Sequence, residues 1–227
     1  MCGRFGLWAE PGQVASQFKV QQPLPLQPRY NIAPSQDIPA VREPGSGLRE
    51  MSMLRWGLVP FWAKEVSSSY RMINARADTV FSKPAFKATI RRRRCLVPAS
   101  GFFEWKRGEQ GKQPYLVRVR TAELFGLAGL WERWQNPETG EVLESCAILT
   151  TSPNSVVAEL HDRMPVIIQP ESYSVWLDPD LRDADKISAL LQPFPEEQTV
   201  IHPISREVNS PANDSPSVIR PLEEKGS

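Results

Sequence analysis

The sequence predicts an α+β fold in a single domain, built from short helices and from β-strands that are interrupted by turns. With 227 residues, of which 41% are hydrophobic and 23% are charged, the chain is long enough to form one sizeable hydrophobic core. Its 22 prolines are spread along the whole chain and therefore disfavour long helices. Strand-like runs do not alternate with helices as repeated βα units, which argues against a doubly wound parallel sheet.

The predicted elements are all short. Helical periodicity predicts helices over 14–20, 155–160, 171–176 and 183–191, and a Ser82-Lys83-Pro84 start predicts another that ends near Arg92. Alternating or β-branched runs predict strands over 115–120, 124–131, 142–150 and 166–168. Residues 205–227 are rich in Ser, Pro, Asn and acidic residues, so composition alone predicts a disordered tail there.

Charge is divided very unevenly along the chain. The net charge is only +1, yet residues 1–120 contain 20 Lys and Arg against 8 Asp and Glu, whereas residues 121–227 contain 7 against 18. A strongly basic half favours a surface that binds a polyanion. Nucleic acid is therefore the expected partner.

The sequence also excludes several classes of protein. No window approaches the length of apolar chain that spans a bilayer, and the first residues lack the layout of a signal peptide, so we expect a cytoplasmic protein, nucleoid-associated in a bacterium. The three cysteines, Cys2, Cys95 and Cys146, cannot all pair and lack the spacing of a zinc site. A reduced chain without a structural metal is expected.

Cys2 directly follows the initiator methionine. Removal of Met1 would leave a cysteine with a free α-amine and a free thiol, and both groups are partly nucleophilic near neutral pH. An amine condenses with an aldehyde to a Schiff base, and the neighbouring thiol can then close a thiazolidine ring on the same carbon. The alternative is that Cys2 is only a small buried residue near a chain end.

Two single ionisable residues are candidates for proton transfer. Glu104 lies among apolar and glycine neighbours in Gly101–Trp105, where burial would let it retain a proton near neutrality, although a strand could also turn it outward to solvent. His161 follows a predicted helix and precedes a strand, where active-site loops often lie, although a histidine there can also be a simple cap.

Aromatic and basic residues are close together in the basic half. Trp56, Phe61 and Trp62 precede Arg76, a combination that suits stacking on single-stranded nucleic acid, although tryptophans also belong to hydrophobic cores. The run Arg91–Arg94 is interpreted as a solvated helix end that gives electrostatic support, not as a site.

Six segments together resemble the SRAP family (SOS-response-associated peptidase) in their order and approximate spacing. They are MCGRF at 1–5, YNIAP at 30–34, WGLVP at 56–60, INARA at 73–77, PASGFFEW at 98–105 and HDRMP at 161–165. The resemblance extends from Cys2 through Asp214. It implies a compact single domain over 2–222 with a curved, barrel-like antiparallel β-sheet, so that the tail is folded and only 223–227 is a flexible end.

The resemblance implies a sensor of abasic sites in single-stranded DNA and at its junctions with duplex. Such a sensor removes its own Met1 by autoproteolysis and then forms a thiazolidine DNA–protein crosslink in a lyase-like reaction. In such a protein Cys2 is the nucleophile, and Asn74 holds its amine. Glu104 would shuttle protons during capture and reversal, and His161 would assist opening of the sugar. No metal or organic cofactor is implied, and we expect a monomer.

The resemblance also implies a set of DNA-binding residues. They are Arg4, Arg76 and Arg163 on phosphates, Trp56, Phe61 and Trp62 against flanking bases, and also Asn31 and Pro34. Phe61 departs from the family pattern, because this position can be small and polar in relatives.

Two other functions remain open at this point. The Cys, Glu and His set also fits a thiol peptidase that removes Met1 or acts on other proteins, although the surroundings typical of cysteine proteases are missing. The basic and aromatic residues alone would also suit a non-covalent single-strand-binding module.

Overall fold

The structure is a computed structural model that describes residues 2–45, 47–66, 72–109 and 111–222. These residues form two β-sheets with short helices packed around them, which confirms the α+β prediction. None of the helices among them is long and apolar enough to cross a membrane. The expected flexible end, 223–227, lies outside the described residues.

The elements are short, as the proline content predicts. The strands are β1 (Phe5–Leu7), β2 (Arg29–Ile32), β3 (Asp37–Arg42), β4 (Glu50–Trp56), β5 (Asn74–Arg76), β6 (Arg94–Ala99), β7 (Gly101–Gly108), β8 (Gly111–Val119), β9 (Phe125–Gln135), β10 (Val142–Thr151), β11 (Met164–Pro165), β12 (Ile167–Ile168) and β13 (Thr199–Pro203). The helices are α1 (Pro11–Phe18), α2 (Thr89–Arg92), α3 (Ser155–Ala158), α4 (Tyr173–Leu177) and α5 (Ala184–Ala189). Short 3-10 helices cover Pro170–Ser172, Glu196–Gln198, Arg206–Asn209 and Pro216–Ile219.

The larger sheet closes on itself. Its strands pair in the ring β10–β4–β3–β6–β9, and β9 pairs again with β10, so the predicted barrel-like sheet is confirmed. Most pairings are antiparallel, but β10 runs parallel to both β4 and β5. Fully buried side chains such as Ile38, Leu54, Leu96, Leu127 and Ile148 form the core of this barrel.

The smaller sheet is antiparallel throughout, in the order β13–β8–β7–β1–β2. Alternation along β7 buries its two faces in different places. Phe102 joins the main core, whereas Phe103 packs with Val208 and Val218 from the end of the chain. The sheet is therefore covered on both faces, and β7 lies at its centre.

The disordered tail that composition predicts is wrong for residues 205–222. The Asp214 carboxylate accepts hydrogen bonds from the backbone N–H groups of Tyr30 and Asn31 and pairs with Arg29. Asn31 in turn donates from Nδ2 to the carbonyl oxygens of the 208–213 segment. The polar residues that suggested disorder thus satisfy particular buried backbone groups, which composition cannot reveal.

The basic run 91–94 is only partly a solvated helix end. Turns replace most of the helix predicted after Ser82, and helix α2 covers only its last residues before Arg93. Arg94 is buried at the start of β6 and donates from Nε to the Trp176 carbonyl (2.6 Å) and from Nη1 to the Ile90 carbonyl (2.8 Å). For Arg94 the interpretation as solvent-exposed support is wrong, because it bonds the carbonyls of helix ends.

Candidate active site and nucleic-acid interface

The start of the chain is held against the centre of the smaller sheet. Phe5 pairs with Phe102, and the Phe103 N–H donates to the Arg4 carbonyl (3.0 Å). Continued toward the N-terminus, this antiparallel register brings Glu104 opposite Gly3 and beside Cys2. The Cys2 side chain is fully buried.

Asn74 reaches the same point from the barrel. It is the first residue of β5 and pairs with Ile148 of β10. Its Nδ2 donates a hydrogen bond to the Cys2 carbonyl (2.9 Å). Its Oδ1 is buried and has no hydrogen-bond partner among the described residues, which leaves an acceptor beside Cys2.

Glu104 is 2% exposed, so the alternative of an outward-facing residue is wrong. Burial raises the pKa of its carboxyl to about 7, while the positive charge of the amino terminus and the Trp105 N–H act in the opposite direction. Near neutral pH the group is therefore present in both protonation states, as a proton shuttle requires.

At the Cys2 thiol, burial suppresses the ionised form that the chemistry needs. Burial, and then the negative charge of Glu104, raise the pKa of this thiol well above its ordinary value. The thiolate is the nucleophilic form, so the thiol needs a base next to it before it can attack. Glu104 is the ionisable group that fits this role by position and by pKa.

His161 lies in the loop between α3 and β11. Burial lowers the pKa of its ring, and this effect exceeds the opposing one of Asp162, whose carboxylate oxygen lies 2.8 Å from Nδ1. The ring is therefore mainly neutral at neutral pH, and its Nδ1 lies 3.0 Å from the Arg163 backbone nitrogen as well as close to the Asp162 carboxylate. The His161 side chain lines the same groove as Glu104, so its ring is accessible from the groove as well as lying at the end of a helix.

A groove of about 900 Å³ contains Glu104 and His161. Its wall includes three cations of the β7–β8 hairpin that the sequence motifs did not identify, Lys106, Arg107 and Lys112. The signal was available, because Lys106 follows Glu104 by two residues along one strand and Arg107 pairs with Lys112 across the turn. Acidic and polar residues complete the wall: Glu159, Asp162 and Asn209.

Two of the three predicted phosphate-binding arginines lie together. Arg76 and Arg163 both contact Asp78, and Arg163 also donates to the Thr150 carbonyl (2.7 Å). Arg4 lies apart from them, donating to Asn31 Oδ1 (2.8 Å) and to the Val208 carbonyl (2.7 Å). Arg4 therefore also fastens the end of the chain to the sheet.

The aromatic candidates divide into core and surface. Phe61 is 61% exposed and Trp62 is 55% exposed, so both rings are available to a base. Trp56 is fully buried, meets Phe5 edge-on and donates from Nε1 to the Ile73 carbonyl (2.9 Å). The expectation that Trp56 stacks on DNA is wrong, because no face of its ring is open.

Asn31 also differs from expectation. Its side chain is fully buried and engaged with the end of the chain, so it offers no group to DNA and its predicted contact is wrong. Pro34, two residues after β2, is half-buried, and its contact with DNA stays a prediction. Among the described residues no cluster of three His, Cys, Asp or Glu side chains is arranged to hold a metal ion.

The other two cysteines lie in the barrel. Cys95 and Cys146 are fully buried and are not in disulfides. Burial raises the pKa of Cys95 to about 12, and it also raises that of Cys146. Of the three cysteines, Cys2 is the one that lies beside Glu104, a residue that lines the groove.

Comparisons with known proteins give one consistent result. The chain matches the family model described as SOS response associated peptidase (SRAP) over residues 1–211. It is 44% identical over 223 residues to the abasic site processing protein YoqW of Bacillus subtilis (strain 168), covering 96% of this chain and 99% of that protein. It is 32% identical over 226 residues to the abasic site processing protein HMCES of Gallus gallus, covering 86% and 67%. An X-ray structure of a Bacteroides thetaiotaomicron protein has a TM-score of 0.89 at 30% identity, covering 97% of this chain and 100% of that one.

Proposed function

The chain belongs to the SOS response associated peptidase (SRAP) family, and from this membership and the geometry around Cys2 we propose that it captures abasic sites in single-stranded DNA covalently. Relatives from a bacterium and a vertebrate are named abasic site processing proteins. The observation that carries the covalent step is the convergence of Asn74 and Glu104 on Cys2.

The proposed reaction needs only the protein and the damaged strand. Once Met1 is removed, the Cys2 amine attacks the aldehyde carbon of the ring-opened deoxyribose and expels its oxygen as water, which gives a Schiff base. The thiol then adds to the same carbon and its proton moves to the nitrogen, which closes a thiazolidine. The product has the mass of protein plus oligonucleotide minus one water.

Each neighbouring side chain has a defined task in this proposal. Oδ1 of Asn74, which has no partner within the described part of the chain, accepts a hydrogen bond from the Cys2 amine and orients the lone pair of the amine nitrogen. Protonated Glu104 delivers the proton that leaves with water, and ionised Glu104 takes the thiol proton during ring closure. Reversal uses the same transfers backwards. A ring N–H of neutral His161 donates to the sugar oxygen as the hemiacetal opens.

DNA binding would be shared between charge and stacking. The DNA backbone would be attracted along the groove by Lys106, Arg107 and Lys112. Arg76 would bind a phosphate of the same DNA strand. Phe61 and Trp62 would stack against flanking bases or the end of a duplex, since stacking accepts any base. One domain can engage one strand without symmetry, so we propose a monomer.

Intact mass spectrometry tests the covalent proposal directly. The mature protein, incubated with a single-stranded oligonucleotide that carries one abasic site, should gain the oligonucleotide mass minus water. Cys2→Ala should gain nothing, whereas Cys146→Ala, which removes a cysteine away from the site, should react like the wild type. Mature wild-type protein that forms no adduct would contradict the proposal. If Cys2→Ala instead binds an abasic strand and an intact strand of the same sequence with equal affinity, the result would support a non-covalent single-strand-binding module.

Removal of Met1 by the same site is a second proposed activity. Glu104 lies beside Cys2 with a carboxyl of pKa about 7, so it can serve as the proton shuttle for hydrolysis of the preceding peptide bond. We expect Met1 to be absent from the wild type and retained in Glu104→Gln, when both are expressed with methionine aminopeptidase inhibited. Equal processing of the two proteins would overturn this proposal.

A further inference from the structure

Thr150 lies between two arginines that come from different parts of the chain. Strand β10 pairs Thr150 with Arg76 of β5 in parallel and with Pro165 of β11 in antiparallel orientation. Arg163 precedes Pro165 by two residues and donates from Nη2 to the Thr150 carbonyl (2.7 Å) and to its Oγ1 (3.3 Å). The barrel therefore brings the Arg76 and Arg163 guanidinium groups to the same strand end.

Asp78 is the carboxylate that joins these two guanidinium groups. Its Oδ1 accepts from Arg76 Nε (3.1 Å), and its Oδ2 accepts from Arg76 Nη2 (2.6 Å). The same Oδ2 lies 3.6 Å from Arg163 Nη1. The hydrogen bond from Arg76 holds the pKa of Asp78 below its usual range, so the group is ionised at neutral pH.

The hydrogen bonds to Asp78 leave part of the Arg76 guanidinium for a ligand. Arg76 is 60% exposed, and because Asp78 accepts from its Nε–H and from one Nη2–H, the Nη1 hydrogens and the second Nη2–H remain for a phosphate. Arg163 is only 13% exposed and is fixed on Thr150. A bidentate carboxylate sets the plane of a guanidinium as well as its position, and a single hydrogen bond would not.

We propose that Asp78 is a positioning residue that orients Arg76, and aligns Arg163 beside it, as a clamp for the phosphates of the strand being captured. This inference rests on the proposed function, because the clamp acts on the same strand. Asp78 carries a negative charge next to the phosphate path, so its charge alone weakens DNA binding. Removal of the Asp78 carboxylate should therefore weaken DNA binding if Asp78 positions the arginines, and strengthen it if only its charge matters.

The test compares Asp78→Asn with Asp37→Asn. Asp37 also accepts from the Nε of an arginine, the half-buried Arg55 (2.8 Å), so its substitution removes the same charge and an arginine–carboxylate ion pair elsewhere. Three quantities are measured for each protein: the affinity for an intact single strand as a function of salt, the maximal adduct rate, and the strand concentration that gives half of that rate. Thermal midpoints show whether either variant loses stability.

Positioning predicts that Asp78→Asn raises the half-saturating concentration of the abasic strand about tenfold, within the range that misplacing a positioning group can cost. The salt slope for the intact strand becomes shallower by about 0.7 for each phosphate that the clamp no longer neutralises. Asp78→Glu, which keeps the carboxylate, recovers part of the affinity, and Asp37→Asn behaves like the wild type.

Tighter or unchanged binding by Asp78→Asn, with an equal or steeper salt slope, would overturn the inference. Equally weakened binding in Asp78→Asn and Asp37→Asn would also overturn it, because it would show a general effect of charge. Failure of the proposed function looks different, since wild-type protein would then form no adduct at all while its salt-dependent binding could still be compared with that of the variants.

Discussion

Burial of Glu104 has opposite consequences for stability and for catalysis. Its pKa rises from 4.5 to about 7 on folding because the carboxyl is desolvated. The folded state therefore binds this proton more tightly than the unfolded chain. The stability that results is fully present below pH 4.5 and is lost as the pH rises through about 7. Above that pH an ionised carboxylate lies buried at the cost of stability, whereas near neutral pH both protonation states are populated, as the proposed proton shuttle requires.

Glu104→Gln should therefore stabilise the protein while it slows capture. The free energy of unfolding at pH 8 should rise by up to roughly 3 kcal/mol, the free-energy equivalent of the pKa shift, and the gain should vanish near pH 4.5. Urea denaturation at the two pH values measures this. Glu138→Gln makes the same change at an exposed position and should show no such gain. A variant that is less stable than the wild type at pH 8 would contradict the account.

Sequence motifs identified Cys2 and three candidate partners, Asn74, Glu104 and His161, but not their surroundings. Glu104 is predicted from its apolar neighbours and Asn74 from the family resemblance, and which groups they contact depends on the pairing of strands that lie far apart in the chain. The same dependence explains the error at Trp56. The local sequence, a tryptophan near arginines, is the same whether the ring stacks on DNA or packs on Phe5. Local sequence contains the residue types, and only tertiary pairing decides which atoms reach the groove.

At the scale of elements, the end of the chain acts as a brace for the smaller sheet. Residues 205–222 cover Phe103 and Leu116 with apolar side chains and place Asn209 at the groove, where its Oδ1 accepts from Trp105 Nε1 (2.7 Å). Short strands such as β1 and β2 bury too little surface to be stable alone. The hydrogen bonds of Asp214 to β2 therefore support the strand that holds Cys2 in place.

Asp214→Ala should destabilise the fold. It removes the carboxylate that accepts the Tyr30 and Asn31 N–H groups, and hydrogen bonds to a charged group contribute about 2 kcal/mol. Chemical denaturation should show a decrease of that order, whereas Asp180→Ala, at a side chain that is 91% exposed, should leave stability unchanged. Equal stability of the two variants would show that the chain end is not a brace.

The segment that carries Phe61 and Trp62 should serve binding and not stability. Alanine at either position removes an exposed ring, so unfolding should change little, whereas affinity for single-stranded DNA should fall by about 1 kcal/mol or more for each base that loses its stack. Fluorescence titration with an intact oligonucleotide measures this. Val175→Ala truncates another exposed apolar side chain, on α4, and should leave affinity unchanged. Wild-type affinity in both aromatic variants would contradict the role.

At the scale of the whole molecule, the two halves of the sequence are interleaved. The basic half supplies β3, β4 and β6 of the barrel, and the acidic half supplies β9 and β10. The alternation of short strands was enough to predict an α+β fold. Closure of the barrel was not predictable from local pattern, because it depends on pairs such as Ser145 with Arg55.

Because the two halves are interleaved, basic and acidic residues line the same groove. The groove has Lys106 and Arg107 on one wall and Glu159 and Asp162 on the other, and Lys106 Nζ lies 3.7 Å from a Glu159 carboxylate oxygen. The basic and acidic halves therefore do not form two separate surfaces. A strand entering the groove would meet a cationic wall beside acids, which favours a defined path over general adhesion to polyanions.

Both nucleophiles of Cys2, the amine and the thiol, are proposed to bond to one carbon of the lesion, and the position of the crosslink in the protein shows whether they do. The adduct formed with an abasic oligonucleotide is digested with nuclease and protease, and the modified peptide is fragmented in the mass spectrometer. We predict a peptide that begins at Cys2, lacks Met1, carries the sugar remnant on that residue, and resists both amine-labelling and thiol-alkylating reagents. A remnant on a lysine, or on a Cys2 whose amine or thiol still reacts, would contradict the account.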